Sequence, residues 1–163
     1  QGGREGIALA GIVNGRSSRA LGSISDFSEN LPDMLDYADL IVIGKVINQD
    51  AFGDLSVLTE VKVSRTVKGG SYDVVSILQL KEGHELVIGE EYLLALTSQR
   101  PDYKEEYYAV CGCYQGAFRQ SGIGIEVYAD TFLSEIQRFV AKGQKESLSL
   151  YELADWFETI IGK

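Results

Sequence analysis

Histidine is almost missing from this sequence, and that gap excludes more chemistry than any motif supplies. His84 is the only one among 163 residues. It sits in Glu82-Gly83-His84-Glu85, a turn-like stretch where an imidazole is most simply exposed. Most catalytic triads and imidazole-ligated metal sites are thereby ruled out. Two cysteines cannot build a disulfide framework or a four-sulfur site, so they do not identify a redox compartment. Basic residues are short as well: 15 Lys plus Arg stand against 24 Asp plus Glu, a formal charge of −9. Such a surface repels phosphate backbones and anionic membranes alike, which disfavours nucleic acid as a partner. No apolar run approaches the roughly 20 residues that a membrane span requires. Gly-x-Ser-x-Gly, His-Glu-x-x-His and Asn-x-Ser/Thr do not occur. Ser121-Gly122-Ile123-Gly124 has too few glycines, at the wrong spacing, for a dinucleotide loop. No cofactor and no metal are implied.

What the chain has instead is a period of two. From Asp39 to Lys68 it reads as two long strands joined by the turn-rich Ile47–Asp54 stretch. In the second strand Leu55, Val57, Val61, Val63 and Val67 fall at odd positions. Ser56, Glu60, Lys62, Ser64, Thr66 and Lys68 fall at even ones, so one face meets a core and the other meets water. Thr59 and Arg65 interrupt the odd face, and Leu58 interrupts the even one. The first strand, Leu40–Ile47, is apolar on both faces, as expected of a central strand, and Gly44 inside it predicts a bulge or bend. Further strands are predicted over 73–81, 92–97 and 107–114, with a sixth short piece within 117–128. Glycine-marked turns separate them.

The period then changes to that of helices. Phe132, Leu133, Ile136, Phe139 and Val140 form one stripe that Gly143 ends. Ser149 and Glu152 form a capping box for a last helix with Leu153, Trp156, Phe157, Ile160 and Ile161 on one side. Near the start, Ser28 or Asn30 can cap a short helix through Pro32 that carries Leu31, Leu35 and Ala38. Asp33, Asp36 and Asp39 around it read as a solvated face. The predicted class is mainly β with α: a five- to six-stranded antiparallel, OB-like barrel with a short N-terminal helix and two C-terminal helices. The expected division is a Gly/Ser/Arg-rich tether or irregular segment at 1–29, the barrel at 30–128, and a helical pair packed on it at 129–163. Residues 7–13 could instead be a short strand. A homodimer contact through the C-terminal helices stays open. The opening Gln1-Gly2-Gly3 leads us to expect a processed or truncated product whose export signal has been removed.

Three stretches in order carry a family resemblance: Ala38-Asp39-Leu40-Ile41-Val42-Ile43-Gly44-Lys45-Val46, a long strand closing on Val67-Lys68-Gly69, and Gly89-Glu90-Glu91-Tyr92-Leu93-Leu94-Ala95-Leu96. The set resembles the OB-fold domain of tissue inhibitors of metalloproteinases and netrin-like modules. It is more similar still to small secreted or lipid-anchored bacterial proteins of unknown function that share that fold. The resemblance covers about residues 30–120. It implies a Greek-key barrel outside the cytoplasm that works by binding, with a lipid anchor upstream of this chain left open. One departure matters: the inhibitors chelate zinc through a Cys-x-Cys at the mature N-terminus, whereas here Cys111 and Cys113 are internal. That mechanism does not carry over.

Two sets of side chains are candidates for chemistry. Cys111 and Cys113, two apart on a predicted strand, would share one face. Buried thiols are the favoured reading, and a vicinal disulfide or redox pair the alternative. Tyr103, Tyr107, Tyr108 and Tyr114 cluster about the fifth strand and would suit a stacking platform, as in OB-folds that bind oligosaccharides or oligonucleotides. They lack a basic groove, so barrel packing or a protein-contact patch is favoured. Glu90-Glu91 and Glu105-Glu106 are paired acids beside strand starts, read as turn residues. The expected function is a non-enzymatic, extracytoplasmic binding or structural module for a protein partner.

Overall fold

A computed structural model describes residues 13–14, 27–81, 86–98, 107–112 and 114–162. Its strands are β1 (Val13–Asn14), β2 (Leu40–Phe52), β3 (Ser56–Lys68), β4 (Val74–Leu80), β5 (Glu91–Ser98), β6 (Tyr108–Val110), β7 (Ala117–Ser121) and β8 (Gly124–Val127). Helix α1 (Leu31–Tyr37) precedes β2, and α2 (Asp130–Lys142) and α3 (Leu150–Ile161) follow β8. The strand order is β1-β8-β7-β5-β2-β3-β4-β6, and β6 pairs back onto β5. Five strands therefore close a barrel. The sheet forks at β5, whose second edge takes β7 along Tyr92–Leu94 and β6 along Leu96–Ser98. The predicted class is the one observed, with β7 and β8 as extra strands outside the closed ring. Pairing is antiparallel except for the short β1–β8 and β4–β6 contacts.

The two-faced hydrophobicity of β2 has a direct cause, because the barrel wall here separates two cores. Leu40, Val42 and Val46 point inward with Val61, Val75, Ile77, Leu94, Leu96 and Tyr108. Ile41 and Ile43 point outward with Leu93, Ala95 and Phe118, beneath all three helices. The helices supply Leu31, Met34 and Leu35 from α1, Phe132, Ile136 and Val140 from α2, and Leu153, Ala154 and Phe157 from α3. Each large side chain so covered contributes roughly 1.5–3 kcal/mol. Phe157 meets Phe118 of β7 edge-on at 5.6 Å, and Trp156 stacks on Phe139 at 4.4 Å, so the two C-terminal helices pack on each other and on the sheet.

Bulges explain why the alternation in β3 looked imperfect. The β2–β3 register shifts between Ile43 and Gly44, where Gly44 pairs with Val63 but Ile43 pairs with Arg65. One extra residue, Ser64, flips the faces that follow. Arg65 and Val67 consequently turn to the helix side, Arg65 to Asp155 and Glu158 at 2.9 Å each and Val67 to the outer core. A second shift, between Val46 and Asn48, extrudes Ile47, which is exposed. Thr59 stays on the inner face and is fully buried, with its hydroxyl accepting from Gln49 Nε2 at 3.0 Å.

Three local expectations need correction. Leu55 is 74% exposed, not core, because it belongs to the hairpin turn before β3. The strand predicted over 107–114 stops at Val110, and Cys113 lies outside the described residues. Cys111 and Gly112 begin a turn in which Gly112 holds φ +58, and an added Cβ there would meet Gln115 Oε1 at 2.5 Å. The sixth piece is a hairpin of two strands turning at Gly122 and Ile123. The caps are as expected: Asn30 Oδ1 accepts from the Asp33 amide at 2.9 Å, and Ser149 with Glu152 completes the capping box of α3. Phe27 and Ser28, at the end of the segment expected to be a tether, are held against the fold. The Ser28 amide donates to Gln115 Oε1 and its carbonyl accepts from Gln115 Nε2, both at 2.8 Å.

Candidate functional site

Strand pairing assigns the wall opposite the helices residue by residue. Thr59 lies opposite Ile77 and Val61 opposite Val75, and all four are buried, so these pairs face the barrel interior. The residues between them face outward. They are Ser56 opposite Leu80, Leu58 opposite Leu78, Glu60 opposite Ser76, and Lys62 opposite Val74. Strand β2 extends all four rows, setting Phe52 beside Ser56, Asp50 beside Leu58, Asn48 beside Glu60 and Lys45 beside Lys62. Leu80 is 51% exposed, and Leu58 and Leu78 are half-buried. Neither core includes Leu58, Leu78, Leu80 or Val74.

A cross-strand pair on a sheet face contributes roughly 0.2–1 kcal/mol, and threonine or charged pairs supply as much. Sheet pairing alone therefore does not call for leucine at 58, 78 and 80. Acids border the patch: Asp50 and Glu60 on the same face, with Asp54 in the adjoining hairpin turn. The cations of the face, Lys62 and Lys45, lie side by side beyond Glu60, and Asp73 engages Lys62 at 2.7 Å. The face is thus apolar at its centre and acidic at its border.

The tyrosines singled out by sequence do not share one surface. Tyr108 is buried inside the barrel, where its hydroxyl donates to that of Tyr72 at 3.1 Å. Tyr107 is half-buried and meets Phe52 edge-on at 5.5 Å. Tyr114 packs against the outer core and meets Phe27 at 5.8 Å. Cys111 is fully buried in that outer core. Tyr103, Cys113, His84 and the Glu105-Glu106 pair lie outside the described residues. Glu90 and Glu91 line a shallow open pocket of about 330 Å³ with Lys45, Gly89 and Gln120. Among the described residues, no group of three or more His, Cys, Asp or Glu is placed to hold a metal ion.

Sequence reasoning missed one polar cluster. Tyr92, Arg119 and Glu126 form a row across β5, β7 and β8. Arg119 Nη2 donates to Glu126 Oε2 at 2.6 Å, and the Tyr128 hydroxyl donates to Glu126 Oε1 at 2.7 Å. Burial pushes the Tyr128 hydroxyl far above the ordinary tyrosine range, and its bond to Glu126 pushes the same way. Tyr92 is raised by burial too, against the opposing pull of the Val87 amide that donates to it. Burial opposes the Arg119 charge most strongly, but the bond to Glu126, the charge of that carboxylate and the Tyr128 and Tyr92 hydroxyls together outweigh it, and the guanidinium pKa is raised. The cluster pins the extra hairpin to the barrel and offers no nucleophile or open coordination position. A two-residue turn placed at Gly122-Ile123 would have paired Arg119 with Glu126 from sequence.

The chain matches none of the known protein-family models, and no curated protein matches it.

Proposed function

We propose that this chain is a non-enzymatic binding module that works outside the cytoplasm and holds a protein partner on the outer face of β3 and β4. One observation carries the reading: the helices cover one wall of the barrel, while the opposite wall presents Leu58, Leu78 and Leu80 inside an acidic border. A contiguous outward apolar patch with a polar border is the usual mark of a protein contact. The resemblance to the barrel of metalloproteinase inhibitors and netrin-like modules supports a binding role in the same direction. The placement outside the cytoplasm rests on that resemblance. The formal net charge of −9 weighs against nucleic acid.

The test is site-specific photo-crosslinking in the source cells, with fractionation of those cells to locate the chain. A photoreactive residue replacing Leu78 should give one adduct of discrete mass, which a second change, Leu58→Ser, removes. The same residue replacing Ile123, exposed at the far hairpin, should not give it. Equal labelling from both positions, or none from either, would refute a contact on this wall.

A further inference from the structure

We infer that the partner segment seated on this wall carries apolar and cationic side chains on one and the same face, so that the wall selects a basic amphipathic peptide over a second copy of the chain, an anionic lipid or a neutral apolar surface. This rests on the binding reading above and adds the partner's chemistry. The argument is charge complementarity. The rows run Asp50–Leu58–Leu78 and Asn48–Glu60–Ser76, so each strand-to-strand step from the leucines meets a carboxylate or a small polar group. The cations of these rows, Lys62 and Lys45 beside it, lie beyond Glu60, two rows from Leu58 and Leu78, and Asp73 engages Lys62. An extended segment running along the strands with an apolar side chain over Leu58 and Leu78 places its next same-face side chain, two residues on, over Glu60 and Ser76, while Asp50 flanks the first. Lysine or arginine is favoured there, and a like charge is repelled.

The same border disfavours the other occupants. A second copy would bring another set of these acids, on a chain of net charge −9, against the first. An anionic bilayer meets the same repulsion. Leucines 78 and 80 stand two residues apart on β4, about 7 Å along the strand. That spacing matches apolar side chains two apart in an extended peptide.

The test uses the full chain and three synthetic peptides of equal length with serine at every second position and, on the other face, two leucines then lysine (Leu-Lys), two serines then lysine (Ser-Lys) or two leucines then glutamate (Leu-Glu), with binding followed by fluorescence anisotropy and NMR. The Leu-Lys peptide should bind at least about tenfold more tightly than either other, which corresponds to about 1.4 kcal/mol. Its NMR shifts should centre on Leu58, Leu78 and Leu80. Leu78→Ser should weaken it about tenfold, Asp50→Asn and Glu60→Gln should weaken it several-fold with a smaller salt dependence, and Ile123→Ser should leave it unchanged. Ser-Lys binding as tightly would reduce the effect to net charge, and Leu-Glu binding as tightly would remove the role of the acids; either overturns the inference. So would a dimer of the native chain in sedimentation that Leu78→Ser abolishes. If the crosslink at position 78 captures a discrete partner while all three peptides fail, the partner chemistry is wrong and the binding role stands.

Discussion

Replacing Gly44 with alanine tests the geometry that closes the barrel. An ideal Cβ at Gly44 would lie 2.5 Å from Val61 Cγ1 and 2.6 Å from the backbone oxygen of Lys62. Comfortable carbon contacts are about 3.5–4.0 Å, so the methyl overlaps both atoms by about 1 Å. Neither yields easily. Val61 is fully buried, and Lys62 O belongs to the neighbouring strand. Overpacking a core ordinarily destabilises by about 1–3 kcal/mol, and the backbone clash puts Gly44→Ala at the top of that range or above. For a chain of this length each kcal/mol lowers Tm by about 2–4 °C, giving a fall of about 6–12 °C. Urea unfolding with an unchanged m-value is the assay. Gly53→Ala is the control, since Gly53 holds φ +76 with no atom within 4 Å of an added Cβ. It should lose about 1 kcal/mol from left-handed strain alone. In the Val61→Ala background the loss from Gly44→Ala should shrink by about 1 kcal/mol but persist, because the Lys62 contact remains. A loss under about 1 kcal/mol in the single variant, or full rescue by Val61→Ala, would refute the claim that the strands must approach this closely here.

Four further outcomes follow from the packing and the titrating groups. Gln115→Ala severs both bonds to Ser28 and should destabilise by about 2–4 kcal/mol, since orphaned buried groups lose about 1–3 kcal/mol each; hydrogen exchange at the Ser28 amide should accelerate most. Phe157→Ala should lose about 3–5 kcal/mol in one cooperative transition, whereas two separated transitions would mean that the helices and barrel are independent units. Glu152 is held below the usual carboxylate range chiefly by the Ser149 amide. Its stabilisation is present above the unfolded pKa and lost as pH falls through the folded one, so Glu152→Gln should flatten the decline in urea midpoint on acidification from about pH 5 to pH 3. Tyr128 is raised by burial, so the folded state keeps a proton that the unfolded chain releases above about pH 10. Stability from this group is present below that pH and falls above it, and Tyr128→Phe should lessen the drop in urea midpoint between about pH 9 and pH 11.

The parts of the fold legible in the sequence were those fixed by local chemistry. The capping box at Ser149 and Glu152, the cap at Asn30 and the stripes through Phe132 and Leu153 needed only neighbours within a turn. The two-sided apolarity of Leu40–Ile47 correctly marked a strand covered on both faces. Whatever depended on register was not legible. Arg65 and Val67 were assigned to the face of Val61 because a strict period of two admits no extra residue. The bulge at Ser64 is set by pairing with β2, twenty residues away in sequence. The strand predicted over 107–114 was drawn too long by the same assumption, because the chain leaves β6 at Val110 for a left-handed turn at Gly112.

Leu58 shows what such a reading can still yield when its exceptions are kept. On the even face of β3 it was an apolar residue among Ser56, Glu60, Lys62 and Ser64, a flaw in an otherwise polar series. Only the pairing with β4 sets Leu78 opposite it, with Leu80 two residues further along the same face. A single outward leucine on a sheet needs no explanation, because much of any protein surface is apolar. Three on adjoining strands, bordered by Asp50 and Glu60 and outside both cores, form a surface that neither folding nor pairing requires. If these leucines serve stability alone, Leu58→Thr with Leu78→Thr should leave the urea midpoint lower and an adduct from a photoreactive residue at position 80 intact. If they serve binding, the paired change should shift the midpoint by less than about 1 kcal/mol, since β-branched threonine suits an exposed strand, and the crosslinked adduct should disappear.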